Sequence, residues 1–341
     1  MADQRPRSGG CTGRAVGWGL LGCAGLVAMF ILAFVVGLNR SSAGATKSAA
    51  ADPGAARLGV VKVEGMIMSG GLTGGLLGGG ATGAESIVRD LRKAAANDQL
   101  AGIILRINSP GGTAAASQEI YEAVREAATK KPVVASMADV AASGGYYVAA
   151  GATHIMANPA TMTGSIGVIM SNFNFSGLMD RYGVTDTTVT SGAFKDAGSP
   201  TRPMRPEERD LFQALIDDTY RQFLADVAKG RDVPTAQVRP FADGRVLTGS
   251  QALAAGLIDE LGGLRDAARR CAQLAGKSVP PEPRLESMTE PSLLDTLLGT
   301  PTTRAGFDPR LLVGGGPPLW LVSPGALPGG GSLPLLMSGQ P

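Results

Sequence analysis

The serine best placed for chemistry in this sequence is Ser143, which lies in residues 141–147 (AASGGYY) between two alanines and two glycines. Residues 132–137 predict a short buried strand before it, and residues 144–151 are small and apolar enough to begin a helix after it. A serine at a strand-to-helix junction exposes its hydroxyl oxygen beside backbone N–H groups that favour negative charge. Acyl transfer needs this pairing of nucleophile and oxyanion donor. The structural alternative is that Ser143 caps the helix and the glycines allow close packing.

A second strand-to-helix junction lies at Gly111 and Gly112, within residues 108–112 (NSPGG). Glycines at such a turn let the backbone approach a ligand closely and direct N–H groups toward it. A phosphate-binding loop is the competing interpretation, but the lysine of a P-loop is missing and no Gly-x-Gly-x-x-Gly motif is formed. Two such junctions in successive strand–helix units favour an oxyanion site more than either does alone.

The histidine content limits the choice of a general base. The sequence has one histidine, His154, within residues 152–157, which alternate like a short strand. This setting is typical of a structural or surface histidine, which disfavours a Ser-His or Cys-His hydrolase. If the chain performs acyl transfer, its base is therefore predicted to be a lysine.

Composition excludes several classes of protein. The chain has 341 residues, 44% of them hydrophobic, and a formal net charge of +2, so nothing indicates that it binds nucleic acid. Of its three cysteines, Cys11, Cys23 and Cys271, only Cys271 lies in the main domain. A disulfide within that domain is impossible, and the sequence has no Cys/His cluster of the kind that binds zinc. We predict neither a metal ion nor a cofactor.

Residues 15–39 contain no charged side chain and have an arginine at each flank. At about 1.5 Å per residue this run can span a bilayer, whereas a cleaved signal peptide has an apolar core of about 7–15 residues. The sequence thus predicts an uncleaved transmembrane helix, with residues 1–14 in the cytoplasm by the positive-inside rule. Residues 40–57 read as a linker to a catalytic domain outside the cytoplasm. Processing stays open, because residues 43–45 imitate a cleavage site.

The main domain is predicted over residues 58–277. Its periodicity indicates strands at residues 59–63, 102–107, 132–137 and 184–190, and helices at residues 85–96, 115–129, 206–230 and 264–275. This alternation predicts an α/β fold with right-handed crossovers on a mainly parallel sheet. The glycine-rich loop at residues 69–83 is either an apolar substrate lip or disordered padding. Residues 278–341 are expected to form a mostly irregular tail rich in Pro, Gly and Leu.

The helix predicted at residues 206–230 begins with a proline, followed by two glutamates in its first turn. Its spacing predicts one buried face, formed by Leu211, Leu215, Tyr220, Phe223 and Val227.

Four stretches resemble one family in their order and spacing: residues 108–112 (NSPGG), 142–147 (ASGGYY), 163–168 (TGSIGV) and 195–200 (KDAGSP). With the predicted anchor they resemble the signal peptide peptidase A family of membrane-bound serine-lysine peptidases, in its short single-repeat form. The resemblance covers residues 58–275. It implies an α/β fold of the Clp-protease/crotonase type, a spiral of ββα units preceded by one transmembrane helix.

Position by position, the resemblance makes Ser143 the nucleophile and Lys195 the general base. Ser165 would hydrogen-bond the lysine amine and orient it, and Gly112 and Gly144 would offer N–H groups to the oxyanion. The family also implies peptide substrates, namely remnant signal peptides and other apolar peptides. It further implies a homo-oligomer whose active sites lie between subunits.

A lysine acts as a base only when neutral, whereas an exposed lysine has a pKa of about 10.4. Burial disfavours the ammonium form, and Phe194 with its small neighbours is expected to help supply a dry setting. Asp196 works against this, because a close carboxylate favours the ammonium, so its side chain must point away or pair elsewhere. Without the family resemblance, Lys195 would be interpreted as a solvated surface residue.

Two other classes stay open at this point. A crotonase-type acyl-CoA enzyme would use the same oxyanion turns without a Ser-Lys pair, but the anchored domain offers no basic pocket for a nucleotide. A non-catalytic membrane scaffold would keep the fold and lose the chemistry, which the presence of both Ser143 and Lys195 disfavours. A serine-reactive fluorophosphonate separates the three, because only the peptidase is expected to be labelled at Ser143.

Overall fold

The computed structural model describes residues 56–70, 81–278 and 284–288, all within one compact unit that begins at Gly54. The anchor predicted at residues 15–39 lies outside the described residues. Among the helices that are described, none is long and apolar enough to cross a membrane.

One mainly parallel sheet organises the domain. The described residues contribute nine strands to it: β1 (Arg57–Met68), β2 (Ala81–Gly83), β3 (Gly102–Gly112), β4 (Val133–Ala142), β5 (His154–Ala157), β6 (Met162–Gly164), β7 (Val246–Thr248), β8 (Glu260–Leu261) and β9 (Arg284–Ser287). The main path runs β2-β1-β3-β4-β5-β8. Strand β6 pairs with the end of β4, β9 pairs with the start of β1, and β7 pairs with β6 in the one antiparallel pairing among the described strands. The predicted α/β fold on a mainly parallel sheet is confirmed.

Helices cover both faces of this sheet. They are α1 (Ala84–Ala96), α2 (Ala114–Ala128), α3 (Gly144–Ala150), α4 (Ser176–Tyr182), α5 (Pro206–Arg231), α6 (Thr235–Val238), α7 (Gly249–Ala254) and α8 (Leu264–Leu274). Because successive strand residues point to opposite faces, Val61 and Val63 of β1 join the core under α1, α2, α3 and α5, whereas Leu58 and Val60 pack with α8. Burial on both faces explains the continuous apolar runs of β1, β3 and β4.

Two register shifts lie close to the predicted site. The pairing of β1 with β3 shifts between Glu64 and Met66, and that of β3 with β4 shifts between Ile107 and Ser109. Such bulges bend a strand and re-aim the residues beyond them. The NSPGG stretch, predicted as a turn after the strand, instead continues β3 to its end at Gly112.

One predicted feature on the exposed side of the domain is wrong, and another is confirmed only in part. Residues 184–190 form no strand, and Val184 and Val189 are exposed. On α5, Phe223 and Val227 of the predicted stripe are buried, whereas Leu211 and Leu215 are exposed. An apolar period shows that a face is able to be buried but does not supply the surface that buries it.

A short strand falls in the region assigned to the irregular tail. Strand β9 pairs in parallel with the start of β1, and Arg57 forms a 2.7 Å ion pair with Glu286. The following residue, Met288, is buried against the core. Four residues are too few to show a period, so the boundary predicted at residue 277 omits this strand.

Candidate active site

Ser143 lies between β4 and α3 in a strained backbone conformation. Its φ is 52° and its ψ is −118°, and its residue surface is only 5% exposed. Holding a non-glycine residue in such a region costs about 1–3 kcal/mol, which the surrounding contacts must offset. The Ser143 N–H donates to the Gly164 carbonyl at 2.8 Å, and the Ser143 carbonyl accepts from Tyr147 N–H at 2.9 Å. A sharp turn of this kind presents a serine oxygen at the end of a strand.

The structure brings Gly112 and Gly144, the two predicted oxyanion donors, together. A methyl group on Gly144 would lie 3.0 Å from the Gly112 nitrogen and 2.3 Å from Ser117 Oγ. A methyl group on Gly112 would lie 1.8 Å from the carbonyl oxygen of Ile67, so only glycine fits there. The two strand-to-helix junctions therefore meet beside Ser143, and two neighbouring backbone N–H groups are the donors that an oxyanion site uses.

Ser165 belongs to the same turn system. It follows Gly164, whose carbonyl accepts the Ser143 N–H, and it is half-buried. Its own φ is 51°, and its N–H donates to the Arg245 carbonyl at 2.8 Å. Among the described residues, three non-glycine residues have a positive φ, and Ser143 and Ser165 are two of them. Strain concentrated in this way is typical of functional sites.

Lys195 is the one predicted site residue that is exposed in the described part of the chain. Its backbone N–H donates to Gly192 at 3.1 Å. Its amine has no hydrogen bond or ion pair with any other described residue. The pairing of Lys195 with Ser143, and the hydrogen bond from Ser165, therefore stay predictions.

Many exposed apolar side chains lie in the segment that leads to Lys195. Between residues 169 and 194 the large exposed side chains are Ile169, Phe173, Phe175, Leu178, Tyr182, Val184, Val189 and Phe194. Phe173 and Phe175 stack with ring centroids 6.0 Å apart. Phe194, which was expected to help shield the Lys195 amine from water, is itself 51% exposed.

His154 lies far from the serine. It pairs in register with Val134 at the start of β4, and Ser143 follows the end of that strand. Ser143 is nine residues beyond Val134, which at about 3.3 Å per residue corresponds to roughly 30 Å along the strand direction. The His154 ring instead contacts Asp259 at 3.8 Å and Glu260 at 3.3 Å, which agrees with the structural role predicted for it.

Sequence reasoning missed the partners of Asp196. Its carboxylate accepts a hydrogen bond from Arg202 Nε at 2.9 Å, and Arg202 also binds Glu208, which is completely buried. The Arg202 guanidinium holds the pKa of Glu208 down at about 2. The only sequence signal was the acidic first turn of α5, which predicts a helix start equally well.

Tyr147 is a second residue whose role was not predicted. Its hydroxyl donates to Asp226 of α5 at 2.5 Å, and its ring stacks on Phe223 at 4.5 Å. Burial, followed by this hydrogen bond, raises the pKa of Tyr147. The contact ties the helix after Ser143 to the helix after the Lys195 loop.

A parallel α/β sheet with a serine on a strained turn, beside a second glycine turn, defines a protein suited to acyl transfer. Comparison with known proteins gives the same class. The model of peptidase family S49 matches residues 125–278, and that of Clp protease matches residues 80–164.

Three relatives illustrate the similarity. A Synechocystis sp. protein named as a protease is 41% identical over 254 residues, which cover 71% of this chain and 91% of the relative. The chloroplastic serine protease SPPA of Arabidopsis thaliana is 37% identical over 236 residues, 68% of this chain and 35% of the relative. An Enterococcus faecium protein named as a signal peptide peptidase, SppA, is 41% identical over 186 residues, 54% of each chain.

The chain belongs to peptidase family S49 and is a serine peptidase of the signal peptide peptidase type. The resemblance drawn from its four motifs is confirmed. The chain spans nearly the whole Synechocystis relative but about half or less of the other two.

Proposed function

We propose that this serine peptidase is a membrane-anchored endopeptidase with Ser143 as nucleophile and Lys195 as general base. The observation that carries the proposal is the positive-φ backbone of Ser143 beside the adjoining Gly112 and Gly144. Cleavage of a peptide bond by acyl transfer requires a nucleophile beside an oxyanion site.

In the proposed reaction the neutral Lys195 amine takes the hydroxyl proton of Ser143 as Oγ attacks the peptide carbonyl carbon. Negative charge develops on the carbonyl oxygen, and the N–H groups of Gly112 and Gly144 stabilise it. The C–N bond then breaks, the lysine ammonium gives its proton to the leaving amine, and an acyl ester remains on Ser143. A water molecule deprotonated by the same lysine hydrolyses the ester. Ser165 orients the lysine in this scheme.

The surroundings of Lys195 support an active site shared between subunits. Its loop is exposed, and the preceding segment presents eight large apolar side chains to solvent. Contiguous exposed apolar surface marks an interaction site. A second copy of the chain on this surface would bury the apolar residues and exclude water from the lysine. We therefore include a homo-oligomer, with Lys195 of one subunit serving Ser143 of its neighbour, in the proposal.

The substrates in this proposal are remnant signal peptides and other apolar peptides. Support comes from the name of the Enterococcus faecium relative and from the apolar character of the surface around the site. The uncharged run at residues 15–39 supports a single membrane anchor that keeps the peptidase at the cell membrane, outside the cytoplasm. The match to Clp protease supports the finer fold assignment, a Clp-protease/crotonase-like spiral of ββα units.

Labelling with a fluorophosphonate tests the proposal. The full-length protein in detergent should be labelled on Ser143, as identified by mass analysis of the modified peptide, and should lose peptide hydrolysis in parallel. Ser143→Ala should stay unlabelled, whereas the matched exposed variant Ser250→Ala should be labelled like the wild type. A folded wild-type protein that stays unlabelled, or that is labelled on another serine, contradicts the assignment of Ser143.

A further inference from the structure

Two arginines contact Asp196, the residue next to the proposed base, and Arg202 makes the shorter contacts. Arg205 Nη2 lies 3.4 Å from Asp196 Oδ1. Arg202 Nε donates to Asp196 Oδ2 at 2.9 Å, and Arg202 Nη2 donates to the Asp196 backbone carbonyl at 3.1 Å. The same guanidinium thus fixes both the side chain and the main chain of the residue after Lys195.

A buried carboxylate at the start of α5 anchors that arginine. Glu208 has no exposed surface, and its two oxygens accept from Arg202 Nη1 at 3.0 Å and from Nη2 at 2.5 Å. Its Oε2 also accepts the backbone N–H of Arg205 at 3.1 Å, and the Arg205 side chain reaches both Glu208 and the Ala193 carbonyl. A buried charge persists only where it is paired and hydrogen-bonded, so this geometry is strongly specified.

Further contacts position the loop that follows Lys195. Gly198 has a φ of 76°, and a methyl group on it would lie 3.2 Å from the Phe212 ring of α5. The Thr201 hydroxyl donates to Asp186. The charged groups of the described residues that contact the loop at residues 191–202 are Asp186, Arg205 and Glu208, together with Asp196 and Arg202 within it. These contacts fix the loop while the Lys195 amine has no partner among the described residues.

We propose that Arg202 is a positioning residue for the catalytic lysine. Clamped on buried Glu208, it holds the Asp196 main chain, which sets the direction of Lys195, and it occupies the Asp196 carboxylate, which would otherwise pair with the lysine amine. A planar guanidinium is suited to this task because it binds two carboxylates and a carbonyl at once, which an ammonium cannot do in a fixed geometry. The inference rests on the proposed role of Lys195 as base.

The test is the pH–rate profile of peptide hydrolysis by full-length Arg202→Met. We expect kcat to fall about tenfold with little change in KM, because the base is misplaced while peptide binding is retained. Without Arg202, only the longer Arg205 contact remains on the Asp196 carboxylate. The carboxylate is then more available to the neighbouring ammonium, so the lysine should lose its proton at higher pH. The midpoint of the alkaline rise in kcat should therefore move up by about 0.5 to 1 pH unit.

A second substitution distinguishes positioning from simple structural support. Adding Asp196→Asn to Arg202→Met removes the competing carboxylate, so the midpoint should return toward that of the wild type. A purely structural role for Arg202 predicts lower activity with an unmoved midpoint in both proteins. Arg221→Met is the matched control, because Arg221 lies on α5 and forms an exposed ion pair with Asp218 at 2.8 Å. It should leave the profile unchanged.

Arg202→Lys covers the case in which Arg202→Met fails to fold because buried Glu208 keeps only its contacts with Arg205. A lysine keeps the positive charge but lacks the several N–H donors of the guanidinium. We therefore expect the midpoint of the pH–rate profile to move in the same direction by a smaller amount. An unmoved midpoint in the folded variants, or a shift that persists after Asp196→Asn, overturns the inference. If Lys195→Ala is inactive while the Arg202 variants show no shift, only this inference fails. If Lys195→Ala stays active, the proposed dyad itself is wrong.

Discussion

Ser143 and Ser165 show how much of a site depends on single residues whose backbone is strained. Both have a positive φ. The N–H of Ser143 donates a hydrogen bond to the carbonyl of Gly164, the residue before Ser165. The two strained turns are therefore one unit. Relaxing either turn would move the Ser143 hydroxyl relative to the proposed oxyanion donors. The strained backbone therefore helps to hold the hydroxyl in position.

The first prediction concerns Gly144→Ala. The new methyl would lie 2.3 Å from Ser117 Oγ and 3.0 Å from the Gly112 nitrogen, so it intrudes on the proposed oxyanion site. We expect kcat/KM for a peptide substrate to fall about 10²- to 10³-fold, as when one oxyanion donor is lost. Hydrolysis is measured together with the thermal midpoint Tm, because the clash should also lower stability.

A compensating variant separates the two effects of that substitution. Gly144→Ala with Ser117→Ala removes the tighter clash and should recover Tm, yet hydrolysis should stay low because the methyl still faces the Gly112 nitrogen. Gly263→Ala is the control, since its methyl would meet Asn158 Oδ1 at 3.5 Å, an ordinary contact. Full recovery of activity in the double variant would show that Gly144 matters only for packing.

At the residue scale the motifs predicted the proposed nucleophile and oxyanion glycines, but not the groups that hold them. Ser143, Gly112 and Gly144 occupy short motifs whose spacing reflects local turns. Arg202 and Glu208 form no local pattern, because their meeting depends on how the loop folds onto α5. Such hydrogen-bond networks depend on tertiary packing, so the spacing of apolar residues in the sequence does not predict them.

At the element scale α3 and α5 form one unit. Tyr147 of α3 donates to Asp226 and stacks on Phe223, and the neighbouring Tyr146 hydroxyl donates to the Leu257 carbonyl at 2.7 Å. Helix α3 begins directly after Ser143, and α5 begins directly after the loop that Arg202 holds. Any displacement of α5 would therefore be transmitted to the nucleophile turn.

The second prediction concerns Tyr147→Phe. The substitution keeps the ring and removes a hydrogen bond to a carboxylate, so the free energy of unfolding should fall by about 1.5–3 kcal/mol. Chemical denaturation of wild type and variant at neutral pH measures this difference. Tyr182→Phe is the control, because Tyr182 is 73% exposed and should change stability little.

The same pair of proteins has a predicted pH dependence. Burial, followed by the Asp226 hydrogen bond, raises the pKa of Tyr147 in the folded state. A raised folded pKa means that the stabilisation is complete below the unfolded pKa of about 10 and is lost as the pH rises above it. The stability advantage of wild type over Tyr147→Phe should therefore narrow above pH 10. An advantage that stays constant or grows there would contradict this account.

Elements with two buried faces or a stripe facing the core were predicted well, whereas the apolar patterns at residues 184–190 and at the start of α5 were not. Helix α1 begins within one residue of its predicted start, because a stripe of apolar residues faces the core. Residues 184–190 alternate like a strand yet pair with no other described strand. Leu211 and Leu215 of α5 are exposed as well.

At the scale of the whole molecule, the proposed subunit interface would supply a cause common to these exceptions. The apolar residues from Ile169 to Phe194, and Leu211 and Leu215 at the start of α5, are of types usually found in a protein core, yet they are exposed in the single chain. Sequence patterns record burial in the working assembly, whereas one chain shows only its own contacts. A subunit interface would account for the misplaced strand, the exposed stripe and the isolated lysine together.

The last prediction tests this interface by complementation. Ser143→Ala and Lys195→Ala should each be inactive, but a reassembled equal mixture should regain activity, since some interfaces would join an intact serine to an intact lysine of the neighbouring subunit. With random assembly about a quarter of the sites in a cyclic oligomer would be intact. The control mixes Ser143→Ala with the double variant Ser143→Ala/Lys195→Ala, which has no intact serine and should stay inactive. Mixed oligomers are verified with two affinity tags. If they form and hydrolysis is not restored, the dyad lies within one chain, and Lys195 must reach Ser143 by a movement of its own loop.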